Sequence, residues 1–413
     1  MTVAALTLGC KVNQYDTDAI LQDFCDLGFT ICDFDTHTDI YIVNTCTVTN
    51  ISDKKSRQMI NRAHRQNPNA LIVAYGCYAQ VEPETLKNIP GVSMVLGTKD
   101  KHQVAEIVAS LFDKTEAVPS KPPAKRTRAY LKVQDGCDRY CAYCIVPYAR
   151  GSVVSRSIED AAAEAEDIVQ SGCKEIVLTG IQIASYGNDL KKLMKHIHDI
   201  PGLERLRLGS LEPNIIDEEF LQTASSLPKL CDHFHLSLQS GCDRILKRMN
   251  RRYNTAQFAI AVKGIHSYFP KATLTTDIIV GFPGETEEDF EETLVFAEKI
   301  GFFRIHVFAY SPKAGTPAAG FPDQVDIKVK EHRSCILRNL AKRMNRSFYR
   351  QYIGETLPVL FESESDGIWE GHTTQYLTVK APYTQNLSNR IVTVRLTKEQ
   401  NGTACGEIII GGT

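Results

Sequence analysis

Apolar and polar positions over the first hundred residues alternate between two periods. Short apolar runs ("VAALTL", "DIYIVN", "ALIVAYG") are separated by stretches with helical spacing, residues 14–27, closed by Gly28, and residues 52–66. Strands that alternate with helices over short connections form a parallel sheet covered by those helices, so the pattern predicts a small doubly wound domain.

The theme returns from Tyr130 to Tyr310, with apolar runs at "AYLKVQ", "EIVLTG", "RLRLGS", "HFHLSL", "TTDIIVG" and "RIHVFAY". Between them, Ser157 with Asp160 and Thr286 with Asp289 carry the capping-box pattern, and Gly172 and Gly301 stand where helix C-termini take glycine. Six strand–helix units predict a barrel or partial barrel. After Pro312 comes a long amphipathic helix, roughly 326–350, with Val329, Ile336, Leu340, Met344 and Phe348 at helical spacing. Beyond Gly354 the pattern breaks into short β-like runs ("TLPVLFES", "YLTVKAP", "RIVTVRL", "GEIIIGG"), which predict a small β-barrel.

The stretch "KTEAVPSKPPAKRTR", residues 114–128, has almost no apolar residues and reads as a linker. The predicted organisation is an α/β chain in three domains: residues 1–113, a doubly wound parallel sheet; 129–350, a partial (β/α)6 barrel ending in the basic helix; and 351–413, a small antiparallel β-barrel.

Composition changes this picture little. The 413 residues are 43% apolar and 23% charged, as in an ordinary globular chain, which excludes a disordered or fibrous protein. The start "MTVAALTLGC" has no basic n-region, and no window approaches the roughly 18 uninterrupted apolar residues of a membrane helix. A cytoplasmic protein with no membrane partner is expected. The formal net charge of -2 does not announce a nucleic-acid partner, so any such reading rests on local charge.

Thirteen cysteines, an odd and high number, point in a reducing compartment to metal or catalysis rather than to disulfides. Most are expected in the core, where unpaired cysteines are common. Cys137, Cys141 and Cys144 differ: "DGCDRYCAYCIVPYARG" has Gly136 before them and Pro147 after them, directly beyond a predicted strand, which makes the segment a loop. Thiolates favour zinc or iron–sulfur clusters, and a structural zinc site would want a fourth ligand that is not nearby. Three cysteines on a four-iron cluster leave one iron open to a substrate or cofactor. Three small apolar residues on one helical face remain the alternative.

A C-x3-C-x2-C loop with Tyr143 just before its last cysteine, following the first strand of a strand–helix barrel, resembles the radical S-adenosylmethionine (SAM) superfamily. Cys10, Cys46 and Cys77 each follow an apolar run, and ligands of open α/β sheets bind beyond the carboxyl ends of strands. On spacing alone, core cysteines and a second cluster both stay open. The segments "TLGCKVNQYDTD", "VNTCTVTN" and "YGCYAQ", with "CIVPYARG", "LTGIQIASYG", "HLSLQSGCDRILKRMNRRY" and "DIIVGFPGETEEDF", are similar to the methylthiotransferase branch of that superfamily, which ends in a TRAM β-barrel. Within the branch, "LGCKVNQYD" and "MNRRY" are most like the enzymes that modify N6-threonylcarbamoyladenosine in tRNA, next to the anticodon.

The resemblance implies two 4Fe-4S clusters, one on Cys10, Cys46 and Cys77 and one on Cys137, Cys141 and Cys144, with SAM bound at the second. One SAM would methylate a sulfur held at the first cluster, while another yields a radical at the second. It also implies a tRNA anticodon stem-loop as partner, a sulfur source, and a reductase or electron donor such as flavodoxin or ferredoxin. The chain is expected to act as a monomer. Barrel active sites lie at the carboxyl ends of strands, which puts Gly180, Gln182, Glu212, Gln239 and Gly281 beside Tyr143 as candidates for cofactor binding. Glu212 is a candidate for a ribose or amino group of SAM, and the turn Gly281–Gly284 for its adenine; a solvated carboxylate and ordinary turn glycines are the alternatives. His235 reads as a core histidine.

For RNA, residues 327–350 hold eight Lys or Arg against one Glu, and Arg338, Lys342, Arg343 and Arg346 are the candidate phosphate contacts. Arg251 and Arg252, in a run with Lys247 and Arg248, are candidates too, with Tyr253 to stack a base. Residues 351–413 do not add to this charge, with seven acidic and four basic side chains. Methylthiolation of another tRNA adenosine or of a ribosomal-protein side chain is a rival within the same chemistry. A non-catalytic iron–sulfur sensor that binds RNA, or a zinc protein that does so, is a rival from another class.

Overall fold

The computed structural model describes residues 1–112, 127–187 and 189–409. Most of the linker predicted at 114–128 therefore lies outside the described residues; its last residue, Arg128, already opens a strand. The chain divides into two compact units, one made of Met1–Lys125, Gln134–Ser155 and Ser311–Gly320, the other of Arg126–Val133, Arg156–Tyr310 and Phe321–Thr413.

In the first unit, β1 (Thr2–Thr7), β2 (Thr30–Cys32), β3 (Ile40–Thr45), β4 (Leu71–Gly76) and β5 (Val92–Leu96) form a parallel sheet in the order β2-β1-β3-β4-β5. Every residue of β3 is buried, as expected of a central strand covered on both faces. Ile42 and Val73 pack with Phe24 of helix Lys11–Asp26 on one face, and Tyr41 and Ile72 with Ile60 of helix Asn50–Gln66 on the other. Thr49 caps the second of these helices by accepting from the Ser52 amide at 3.1 Å.

The second unit begins with β6 (Arg128–Asp135), whose last two residues pair antiparallel with β7 (Val154–Ser155) inside the first unit. Then follow β8 (Glu175–Gly180), β9 (Arg205–Leu208), β10 (Ser210–Leu211), β11 (His233–Leu236), β12 (Thr273–Val280) and β13 (Arg304–Ala309). The run "RLRLGS" was expected as one strand and is two: β9 pairs with β8, β10 with β11. Gly209 is the break, because a Cβ there would lie 2.8 Å from the Leu178 carbonyl. The result is a partial barrel of two sheet segments, parallel except for the β6–β7 pair, around one large apolar core. Ser157 and Thr286 do cap their helices, the latter in a full capping box with Asp289.

The long helix spans Ile327–Gln351, and a closed five-stranded barrel follows in the order β14 (Thr356–Ser365), β15 (Ile368–His372), β16 (Thr378–Pro382), β18 (Thr403–Ile408), β17 (Ile391–Gln400). All its pairings are antiparallel except β16–β18. Strand direction cannot alternate around a closed ring of odd number, so one parallel pair is unavoidable. No helix among the described residues is long and apolar enough to cross a membrane.

Candidate active site

Three adjacent parallel strands of the first unit each deliver one cysteine at the carboxyl end: Cys10 three residues past β1, Cys46 directly past β3, Cys77 directly past β4. The sulfurs of Cys10 and Cys77 lie 3.9 and 3.8 Å from the same Asn13 side-chain oxygen. Glycine makes this convergence possible. Gly9 and Gly76 both have φ +102°, and a Cβ on Gly9 would sit 2.9 Å from the Cys46 sulfur. Burial raises the Cys46 thiol pKa and pushes Cys77 up to about 12, so a metal binding there must displace protons. Directly beyond Cys46, the buried Thr47 hydroxyl has no partner among the described residues. Three soft sulfur ligands, two of them buried and Cys10 exposed, fit an iron–sulfur cluster.

The second set belongs to the same unit. Cys137 donates its amide to the Gly151 carbonyl at 3.0 Å, and the Cys144 amide closes a turn on the Cys141 carbonyl at 2.9 Å. Gly136, at φ +71°, lets the chain pass Ser152, whose carbonyl oxygen would be 2.0 Å from an added Cβ. The loop is pinned from a distant part of the sequence, since the Ala318 amide donates to the Ala142 carbonyl at 2.8 Å. That distant segment is anchored by Lys313, buried and ion-paired with Asp53. Helical spacing of the three cysteines is thereby ruled out, and the donor set again fits a cluster with an open iron. Tyr143, within the loop, is half-buried.

Between the two sets lies a polar network that the sequence reading missed. Arg150, its side chain 2% exposed, donates to Asn13 at 2.5 Å, to Asp16 at 3.1 Å and to Asp135 at 2.8 Å. Burial works against its charge, but Cys77, Asp135 and Asp16 outweigh that and hold the guanidinium pKa above its ordinary value. A signal was there to be read: Asn13, Asp16 and Thr17 are polar residues on the buried face of helix Lys11–Asp26.

In the second unit, Gly180, Gln182, Glu212, Gln239 and Gly281 do lie at or just past strand ends. Gln182 approaches Glu212 at 3.5 Å, and Arg251 stands 3.3 Å from the other oxygen of the same carboxylate. Gln239 adopts φ +70° and bridges to β12 through its backbone. The front of Gly281 is filled by the Lys330 stem, 2.4 Å from where a Cβ would stand, and its amide donates to Glu285 at 2.8 Å, so the turn does not present an open face to a base. His235 is largely buried, 13% exposed, and both its ring nitrogens are satisfied, one of them by Thr275 at 2.9 Å. It meets Asp277 at 3.3 Å and, with His306, forms a group whose ligating atoms all lie within 4.8 Å.

Two RNA candidates are corrected. Tyr253 is buried, donates to the Leu238 carbonyl at 3.0 Å and carries the Arg251 guanidinium 4.7 Å over its ring, so it has no free face to stack a base. Arg251, 7% exposed, serves Glu212 rather than phosphate. Arg252, Arg338, Lys342, Arg343 and Arg346 are exposed.

Comparisons with known proteins agree with this geometry. One family model, the Radical SAM superfamily, matches residues 131–297, and another, Uncharacterized protein family UPF0004, matches residues 2–97. Threonylcarbamoyladenosine tRNA methylthiotransferase MtaB of Bacillus subtilis (strain 168) is 40% identical, with 96% of this chain and 94% of the relative covered. The protein of the same name from Thermotoga maritima is 37% identical with the same coverage, and a tRNA-2-methylthio-N(6)-dimethylallyladenosine synthase of Pelotomaculum thermopropionicum is 33% identical over 95% of this chain and 94% of its own. Among solved structures, the radical SAM methyltransferase TsrM from Kitasatospora setae, with cobalamin and a 4Fe-4S cluster bound, has the same fold at TM-score 0.57, with 16% identity over 89% of this chain and 80% of that one. Similarity at this level along nearly the whole length, joined to two cysteine sets on the expected scaffold, places the chain in the radical SAM methylthiotransferase family.

Proposed function

We propose that the protein adds a methylthio group to C2 of N6-threonylcarbamoyladenosine next to the anticodon in tRNA, using SAM and two 4Fe-4S clusters. The observation that carries this reading is the gathering of two three-cysteine sets in one compact unit, the first on adjacent strand ends and the second on the C-x3-C-x2-C loop. A single set would generate a radical; the second gives it sulfur to deliver. The names of the relatives at 35–40% identity supply the substrate.

The chemistry explains why side chains alone do not suffice. The C2–H bond of adenine is not acidic enough for a protein base, so acid–base catalysis cannot exchange it for sulfur. Clusters with SAM supply the radical and methyl chemistry. The chain's own residues do the holding: Cys10, Cys46 and Cys77 bind one cluster, Cys137, Cys141 and Cys144 the other. Glu212, with Arg251 and Gln182 beside its carboxylate, is the candidate contact for the ribose or amino group of SAM. Gly180 and Gln239, near strand ends of the second unit, and Tyr143, in the cysteine loop of the first, are further candidates for cofactor contact, whereas Gly281, with its front filled by Lys330 and its amide donated to Glu285, is not. Electrons come from a donor of the flavodoxin or ferredoxin kind, and sulfur from a separate source, both expected in the cytoplasm where tRNA is modified.

Mass spectrometry of nucleosides from tRNA with and without the gene tests the substrate. Loss of the 2-methylthio derivative of N6-threonylcarbamoyladenosine is expected on deletion, and an unchanged nucleoside profile overturns the assignment. Production of 5′-deoxyadenosine from SAM by the reduced protein separates an enzyme from a cluster-bearing sensor, which would make none.

A further inference from the structure

We propose that Arg150 is a positioning residue that couples the two cysteine sets, fixing the geometry between them and raising the reduction potential of the cluster held by Cys10, Cys46 and Cys77. The inference rests on the two-cluster reading above.

Arg150 ends the short helix Val146–Arg150, six residues after Cys144. Its backbone is tied to the radical loop, because the next residue, Gly151, accepts from the Cys137 amide at 3.0 Å. Its side chain spans helix Lys11–Asp26 on one side and the end of β6 on the other. One guanidinium nitrogen reaches the Asn13 oxygen at 2.5 Å and Asp16 at 3.1 Å, and the other reaches Asp135 at 2.8 Å. That Asn13 oxygen is the atom 3.9 and 3.8 Å from the sulfurs of Cys10 and Cys77. The Asp135 oxygen also accepts from the Gly136 amide at 2.9 Å, one residue before Cys137. A continuous path therefore runs from Cys77 through Asn13, Arg150, Asp135 and Gly136 to Cys137. The links are hydrogen bonds apart from the longer sulfur contact, which suits a thiol, and the peptide bond from Gly136 to Cys137.

The choice of residue follows from this geometry. A planar fork of donors can serve three acceptors on two sides at once, whereas an ammonium is a compact point charge on a flexible stem. The charge is as telling as the shape. A guanidinium 2% exposed is poorly screened by solvent and salt. Adding an electron makes a cluster more negative, and a fixed cation beside it favours that state, so local charge and hydrogen bonds tune cluster potentials. Asp16 and Asp135 offset part of the field, and Lys101, 2.7 Å from the second Asp135 oxygen, offsets part of theirs. Asn13 is held for the same task, its amide group donating to the Leu8 carbonyl at 2.8 Å so that its oxygen points at the sulfurs and at Arg150.

Substitutions of opposite sign separate this role from that of a simple staple. Arg150→Met removes the cation; Arg150→Lys keeps the charge and loses the fork; Asp16→Asn removes a counter-charge with almost no change of shape. The measurement is an anaerobic redox titration of the reconstituted full-length protein followed by electron paramagnetic resonance, with iron counted in each variant. Signals are assigned against a Cys10/Cys46/Cys77→Ala variant. Arg150→Met is expected to shift the first cluster at least tenfold toward its oxidised form, about 59 mV for a one-electron couple. Arg150→Lys should recover most of that shift, and Asp16→Asn should move the potential the other way. An unmoved potential in Arg150→Met, or a shift of the same sign in Asp16→Asn, overturns the proposal. Should Arg150→Met fail to fold or load, the sign of the Asp16→Asn shift decides alone. Four irons rather than eight in the unaltered protein would instead sink the two-cluster reading, so the two failures are distinct.

Discussion

Glu175 on β8 accepts two hydrogen bonds from Arg207 on β9, at 2.6 and 3.3 Å, with both side chains at most 1% exposed. Arg207 uses its other N–H groups on the carbonyls of Thr373 and Thr374, at 3.2 and 2.9 Å, while Arg205 reaches those of Pro358 and His372 at 2.9 and 2.8 Å. The C-terminal barrel is thus docked on the floor of the partial barrel by buried guanidinium groups, with Tyr376 under Arg207 at 4.8 Å.

Removing one member of this pair strands the other. Glu175→Gln leaves the Arg207 charge buried without its counter-ion, a loss of about 3–5 kcal/mol. Replacing both by Met removes this pair's charges together but still leaves Arg205, 3% exposed and 3.8 Å from Glu175, without that carboxylate, so it is expected to recover only part of the loss. Thermal unfolding followed by the fluorescence of Trp369, the single tryptophan, reads the C-terminal barrel directly.

The same pair gives stability a pH dependence. Burial alone would raise the Glu175 pKa, but Arg207, with Arg128 and Arg205, outweighs it and holds the carboxyl below its ordinary 4.5. A carboxyl whose pKa is lowered by folding contributes stability that is present above the unfolded value and lost as pH falls through the folded one. The unfolding midpoint should therefore drop below about pH 4.5 by more in the native protein than in Glu175→Gln. Equal pH profiles for the two would remove Glu175 from the explanation.

The strands were legible because their apolar runs are long and regularly interrupted, and the cysteines because residues just past such runs meet at the ends of a parallel sheet. Less was visible where tertiary contacts decide. The Ile368–His372 strand, "IWEGH", has one large apolar residue facing in and a glycine against β14, so it carries no run to notice. Tyr253 looked like a base-stacking residue because it follows two arginines, yet its hydroxyl is used by backbone carbonyls and its ring by the core. Arg150 was hidden for a similar reason: its partners Asn13 and Asp135 lie far from it or on the other side of the cysteines, and charge in a sequence reads first as surface.

The two cysteine sets should be separable. Replacing Cys10, Cys46 and Cys77 by Ala is expected to lower iron from about eight to about four per chain while reductive SAM cleavage persists. Replacing Cys137, Cys141 and Cys144 removes the other four and the 5′-deoxyadenosine with them. Iron assay and product chromatography on anaerobically reconstituted protein check both halves, and SAM cleavage surviving the second substitution would contradict the assignment.

Gly136 offers a sharper steric test of the radical loop. A side chain there meets the Ser152 carbonyl at 2.0 Å and is held at φ +71°. The backbone term alone costs roughly 1–2 kcal/mol for an L-residue, and the clash forces the loop to move as well. Gly136→Ala should lose the second cluster while keeping the first, a result read as half the iron with no 5′-deoxyadenosine. Gly301→Ala, also at positive φ but with nothing within 4 Å of its Cβ, is the control for backbone strain and should retain both clusters.

RNA contact is expected on the exposed face of helix Ile327–Gln351. Arg338, Lys342 and Arg346 recur every four residues and therefore share one side, with Arg343 adjacent. Phosphate contacts release counter-ions, so each basic residue that touches the backbone adds about 0.9 to the slope of log affinity against log salt. Substituting Arg338, Lys342 and Arg346 by Gln should lower that slope by about 2–3 and weaken tRNA binding, most visibly at low salt, without changing the melting temperature. Tyr253→Ala should do the opposite: it empties a buried aromatic site at a cost of about 3–5 kcal/mol and lowers stability, with the salt slope unchanged in whatever protein remains folded. A slope unaffected by the three helix substitutions would move the RNA surface elsewhere, with exposed Arg252 the next to test.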